Sequence, residues 1–317
     1  MAANWMRRTL VVAACATATL LAACGSSTTE SAITPDRFIT FGDGFSDMGQ
    51  NGARYTVNDG SINNWTQQIA NNYGKSFTPS AAGGTGYAQG NARVTATTDA
   101  AGRTTTPSVT QQIDTFLSKG GFAENDLVMI NGGISDVIAG MAAVNAGTQT
   151  SAQFLTNAAT AGKELAAQVR RLSNAGAKHV VVTGTYDLGK SPWAVSINQT
   201  TLLSNASTQF NQALLVNIED LGTTVLYVDL AYYGNVFVGS PSGYGFTDKD
   251  NAVCTSVDPN NGIGIGTGRV NSLLCNASTL LPGAAQDKYV FADPVYFSPS
   301  AQRQFGTYAY DRLRARW

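Results

Sequence analysis

The chain has 317 residues, of which 43% are hydrophobic and 13% charged, and its formal net charge is −1. That length and apolar content support a sizeable core in one large or two small domains, and they exclude a highly charged disordered chain. No basic run is longer than a pair such as Arg7-Arg8, so the electrostatic footprint of a nucleic-acid-binding protein is missing.

The chain opens on a short basic region, Met1 to Arg8, followed by an apolar run over 9–21. That run has the length of a signal-peptide core and is short for a membrane span. Leu21-Ala22-Ala23-Cys24 resembles a bacterial lipobox, with Cys24 as the lipidated first residue of the mature protein; an ordinary signal peptide is the alternative. On this reading 1–23 is a lipoprotein signal peptide, 24–35 a tether and 36–317 a single domain. The protein would be exported to the bacterial cell envelope and held to a membrane by its N-terminal lipid. Removing 1–23 takes away two arginines and no acid, which leaves a charge of −3.

A short apolar strand over 38–41 then runs into the turn Gly42-Asp43-Gly44, and α/β folds place chemistry at the carboxyl ends of such strands. Residues 50–61 are polar and loop-like. The four-residue spacing of Trp65, Ile69 and Tyr73 predicts a helix over 62–73. A Gly-rich loop follows over 81–94, then a helix over 108–117 with Val109, Ile113 and Phe116 on one face. Residues 126–131 have the apolar centre of a buried parallel strand, ending in Gly132-Gly133-Ile134-Ser135-Asp136. The clearest helix spans 151–174, where Phe154, Ala158, Ala161, Leu165, Val169 and Leu172 form one stripe and Gly176 marks the stop. A strand over 179–182, a helix over 198–221 and a strand over 224–228 continue the rhythm. Residues 239–282, rich in Gly, Asn and Ser, break it and read as a surface excursion. A strand over 288–292 and a helix over 299–314 close the chain. Alternating strands and helices predict a parallel sheet covered on both faces.

Once Cys15 leaves with the signal and Cys24 takes the lipid, Cys254 and Cys275 remain. In an oxidising compartment a disulfide is their natural state, two buried thiols being the alternative. Their spacing does not suit zinc and the single histidine, His179, opens a buried strand, so no metal is expected. The run from Gly262 to Gly268 has no strand before it or helix after it, so it reads as a flexible loop rather than a dinucleotide site. Asp248, Asp250 and Asp258 miss the EF-hand spacing and read as solvated acids. Tyr232, Tyr233, Phe237, Tyr244 and Phe246 could line a cleft or anchor the excursion.

The stretch Phe41-Gly42-Asp43-Gly44-Phe45-Ser46-Asp47-Met48-Gly49 resembles the nucleophile block of the GDSL (SGNH) ester hydrolases, F-G-D-S-x-S-D-x-G, at six of seven specified positions. The resemblance extends over most of the mature chain, with its blocks in family order. It implies a three-layer α/β/α sandwich, flavodoxin-like, with a central mostly parallel sheet, and hydrolysis of lipid or other carboxylic esters without a cofactor. In the family a serine attacks the ester carbonyl, backbone N–H groups and an asparagine hold the oxyanion, and an Asp-x-x-His pair supplies and orients the base.

Four positions depart from that pattern. Gly44 stands at the nucleophile position and has no side chain. In the second block, Gly84 to Ala92, Gly90 is kept but Asn91 replaces the second glycine, and which of the two would donate to an oxyanion is left open. Ser135 replaces the third block's asparagine with a shorter donor. Asp293 is kept in the last block, but Tyr296 stands where the histidine belongs, and an ordinary phenol with a pKa of about 10 is a poor base. The leading expectation is therefore a GDSL-like lipoprotein with impaired or absent hydrolase activity. A working esterase using Ser46 is one alternative; a lipid-, ester- or glycan-binding or purely structural envelope lipoprotein is another.

Overall fold

The computed structural model describes residues 33–317. The signal peptide over 1–23, the lipidation site Cys24 and most of the tether lie outside the described residues.

Four parallel strands form the central sheet in the order β1-β2-β3-β4: β1 (Arg37–Phe41), β2 (Asp126–Asn131), β3 (His179–Thr183) and β4 (Val225–Tyr227). Neighbouring residues on each strand enter opposite cores, as the two-residue period of a strand requires. Phe38, Leu127, Met129, Val181 and Leu226 join one apolar cluster; Ile39, Phe41, Val128, Ile130, Val180, Val182 and Val225 join the other. Both faces are buried, so these strands read as unbroken apolar runs.

Each face is covered by helices with a matching stripe. Helix α1 (Trp65–Asn72) packs on the first face, and α2 (Val109–Leu117) on the second. Helix α3 (Ile134–Asn145) follows β2, and α4 (Ser151–Asn174) lies over the second face. After β3 come the short α5 (Pro192–Ser196) and then α6 (Thr200–Val216), which packs along α4; α7 (Leu230–Gly239) follows β4. Sequence signals set several starts. Ser108 and Thr150 each form a reciprocal capping box with the glutamine three residues on, satisfying backbone N–H groups that a helix start otherwise leaves unpaired.

The 239–282 excursion is more than a surface loop. It contributes β5 (Asp248–Ala252) and the antiparallel pair β6 (Val257–Asp258) and β7 (Arg269–Val270). The terminal strand β8 (Tyr289–Phe291) pairs with β5 in a separate two-stranded sheet, so it does not extend the central one. Cys254 and Cys275 form the expected disulfide across a separation of 21 residues. The Gly-rich stretch inside that loop is anchored, because Ile263 and Ile265 are buried in the first core. The aromatic cluster also anchors: Tyr233 stacks on Tyr308 at 4.4 Å, and Phe237 meets Phe246 and Phe297 edge-on. Helix α8 (Pro299–Arg316), capped by Ser298, lies against α1 and completes that layer.

Candidate functional site

The blocks converge at the carboxyl ends of β1 and β2, and four buried acids tie them together. Asp43 Oδ1 accepts from Phe45 N–H at 3.0 Å and from Asn131 Nδ2 at 2.7 Å. Burial raises its pKa, while the N–H groups of Phe45, Ile134 and Ser135 and the Asn131 amide favour its charged form. Oδ2 has no partner at bonding distance. Helix α3 starts at Gly133 with no side-chain cap, so the Asp43 carboxyl is the polar group that its N-terminus meets. Gly42 is forced by the same contact: it sits at φ +147° and any side chain there would collide with Asn131.

Asp47 makes the second tie. One oxygen accepts from Gly49 and Gln50 N–H at 2.8 and 2.9 Å, and the other from Gly90 N–H at 2.8 Å. Desolvation pushes its pKa up to about 6 against these donors. Asp136 makes the third, accepting from Arg93 Nε and Val94 N–H, both at 3.1 Å. Its pKa is also pushed up to about 6, by burial first and against the pull of Arg93. Asp293 makes the fourth. It accepts from Val295 and Tyr296 N–H at 2.8 and 2.7 Å through one oxygen, and from Ser272 N–H and Oγ through the other. Where a base-orienting carboxylate would serve a histidine, this one staples the excursion to the last block; burial raises its pKa.

The replaced positions behave differently. Gly44 has ordinary backbone geometry, so another residue could adopt its conformation; space is what forbids it. A Cβ built there would lie 2.8 Å from the Tyr296 hydroxyl, 2.9 Å from its ring and 3.0 Å from the Tyr55 ring. Tyr296 is 1% exposed and Tyr55 5%, and their rings meet at 4.8 Å. The Tyr296 hydroxyl has no hydrogen-bond partner, and burial, with Asp43 and then Tyr55 nearby, raises its pKa well above the usual phenol range. A group so hard to ionise cannot serve as a base near neutral pH.

Gly90 is kept because the Tyr55 ring lies directly on it, where a Cβ would collide. Its N–H is committed to Asp47 and so is not aimed at an oxyanion. Asn91 is held at φ +64°, a left-handed conformation that asparagine tolerates. Its Nδ2 donates to the Gly262 carbonyl at 2.7 Å, latching the disulfide-closed excursion over the second block. Ser135, at the start of α3, is fully buried and its Oγ has no partner. Ser46 is also fully buried, and its Oγ accepts from Trp65 Nε1 at 2.9 Å. That places the hydroxyl inside the core behind the turn, away from any approaching substrate.

Sequence reasoning passed over Tyr55, which fills the space between Gly44, Gly90 and Tyr296. It sits in a polar loop with no periodicity, so the one available signal was an aromatic residue followed by Thr56 and Val57 within a stretch otherwise typical of solvent. His179 makes an edge-on contact with the Trp317 ring at 5.0 Å, at the opposite end of β3 from the blocks. No group of three or more metal-ligating side chains occurs among the described residues.

The GDSL-like lipase/acylhydrolase family matches residues 38–308. An uncharacterized Pseudomonas putida protein from the trpE–trpG intergenic region is 28% identical over 193 residues, which is 61% of this chain and 29% of the relative. The chain thus spans less than a third of that relative's length. One solved crystal structure aligns over 90% of this chain and 99% of its own, at 14% identity and a TM-score of 0.46.

Proposed function

We propose that this chain, which belongs to the GDSL-like lipase/acylhydrolase family, has kept the family scaffold and given up serine-dependent ester hydrolysis. The observation that carries this reading is the filled space above Gly44. The nucleophile is absent, and the Tyr296 hydroxyl and Tyr55 ring stand where its side chain would begin. Losing a nucleophile removes most of the rate that a triad supplies, and losing an oxyanion donor costs about 100- to 1,000-fold in addition. Ser46 does not substitute, because it is buried and hydrogen-bonded to Trp65.

The protein then acts in the bacterial envelope by binding or by structure, held to a membrane through a lipid on Cys24. The retained acids fit this role, since each one ties two segments of the scaffold and none requires a substrate.

The test is incubation of the chain with a fluorophosphonate probe and with a short-chain chromogenic ester, followed by mass mapping of any adduct. No adduct and no turnover above a heat-denatured control are expected. An adduct on the peptide carrying Ser46, together with turnover, would overturn the proposal. Metabolic labelling with a radioactive fatty acid tests the anchor: label should incorporate in the native chain and be lost in Cys24→Ser.

A further inference from the structure

A cavity lies between α3 and α4, with a volume of about 350 Å³, and none of Gly44, Tyr55 or Tyr296 lines it. That volume lies within the range of small-ligand pockets, which begins near 300 Å³. Its polar lining comprises Arg93, Thr95, Asp136, Gln149, Asn157 and Glu164. Small residues, among them Gly140, Ala143 and Ala158, complete the lining. Gly140 is obligatory there, because a Cβ would press on the Phe154 ring at 2.5 Å.

The polar groups are only partly committed. Asp136, with a side chain 6% exposed, holds Arg93 through Nε at 3.1 Å, while the two Nη groups of Arg93 make no hydrogen bond among the described residues. Thr95 Oγ1 donates to Glu164 Oε2 at 2.7 Å, which leaves the other carboxylate oxygen open. Asn157 donates to Gln149 Oε1 at 2.8 Å, which leaves its own carbonyl open.

Open donors and open acceptors therefore line the same cavity, beside small apolar residues. Asp136 compensates the charge of Arg93, and Glu164 contributes the remaining negative charge. An anion such as a phosphate or a fatty carboxylate would be repelled by Glu164 at close range. A wholly apolar ligand would leave the polar lining unpaired at a cost of about 1–3 kcal/mol per group. A ring bearing several hydroxyls satisfies both kinds of group, because each hydroxyl donates and accepts, while its C–H face covers the alanines. We propose that this cavity binds a neutral saccharide of one or two rings. The proposal does not depend on the Gly44 site being inactive.

Saturation-transfer NMR on the full chain with maltose, cellobiose and N,N′-diacetylchitobiose tests it. Transfer to the ring protons of at least one disaccharide is expected. The double variant Glu164→Gln with Asn157→Ala should weaken binding at least tenfold, and Ala143→Trp, which puts an indole on the cavity lining, should abolish it. Tyr296→Phe should bind as the wild type does, so failure here and failure of the proposed inactivity are read separately. Absence of transfer from all three sugars, or transfer undiminished in both cavity variants, overturns the proposal. So does stronger binding of glucose 6-phosphate than of the neutral sugars.

Discussion

At the scale of single residues, glycines and tyrosines pack as matched pieces. Gly44 makes room for Tyr296, and Gly90 makes room for Tyr55. Gly90→Ala should therefore destabilise the fold by about 1–3 kcal/mol, the usual cost of overpacking a well-filled core. The cost should shrink when Tyr55→Ala is added. Urea unfolding of the two single variants and the double variant measures this, and a Gly90→Ala variant as stable as the wild type would contradict the packing described. The Gly44 and Tyr296 substitutions were legible in the sequence because they fall at fixed offsets within recognisable blocks. The collision between them was not, since 252 positions separate the two residues along the chain and only tertiary structure brings them together. Tyr55 was illegible for a related reason: its loop has no period, and burial of one ring in a polar segment leaves no local pattern.

At the scale of elements, the retained acids tie the scaffold together whatever chemistry the site performs. Asp43 joins β1 to β2 through Asn131 and faces the start of α3. Asp43→Ala would leave Phe45 N–H, the Asn131 amide and the uncapped helix start without their acceptor, each buried. The expected loss is about 1–3 kcal/mol or more in global stability, with faster hydrogen exchange confined at first to α3 and the 42–49 turn. Uniform acceleration across the sheet would argue against a local capping role. Elements with strong periodic stripes were the ones sequence could locate. Helix α4 runs over Ser151–Asn174 as its apolar repeat predicts. Helix α3 was passed over, because apolar residues surround it on most sides and alanine marks no face. The last strand was located, but its partner was not, since β5 is polar and lacks any strand signal.

At the scale of the molecule, burial of several acids couples stability to pH. Asp47 and Asp136 have pKa values pushed up to about 6 from 3.8 by desolvation, and Asp43 and Asp293 are shifted in the same direction. A raised acid pKa means that the folded state binds the proton more tightly than the unfolded state does. Its contribution is therefore present at low pH and is lost as pH rises through the folded value. The Asp47 and Asp136 contribution to the melting temperature should fall between about pH 4 and pH 6 and level off above. Asp136→Asn should flatten that slope. A melting temperature that rises steadily across the same window would show that the buried acids are held as stable anions instead.

The central claim is that the family's catalytic position is now part of the core, filled by the residue that replaced the base. The most direct measurement is a double-mutant cycle on unfolding free energy with Gly44→Ser, Tyr296→His and both together. Gly44→Ser alone should cost about 1–3 kcal/mol through its collision with the Tyr296 hydroxyl. The double variant should recover much of that loss, giving a coupling of at least about 0.5 kcal/mol, as expected for residues in contact. Additivity of the two changes, with Gly44→Ser tolerated at no cost, would mean that the space above Gly44 is open and would contradict the account.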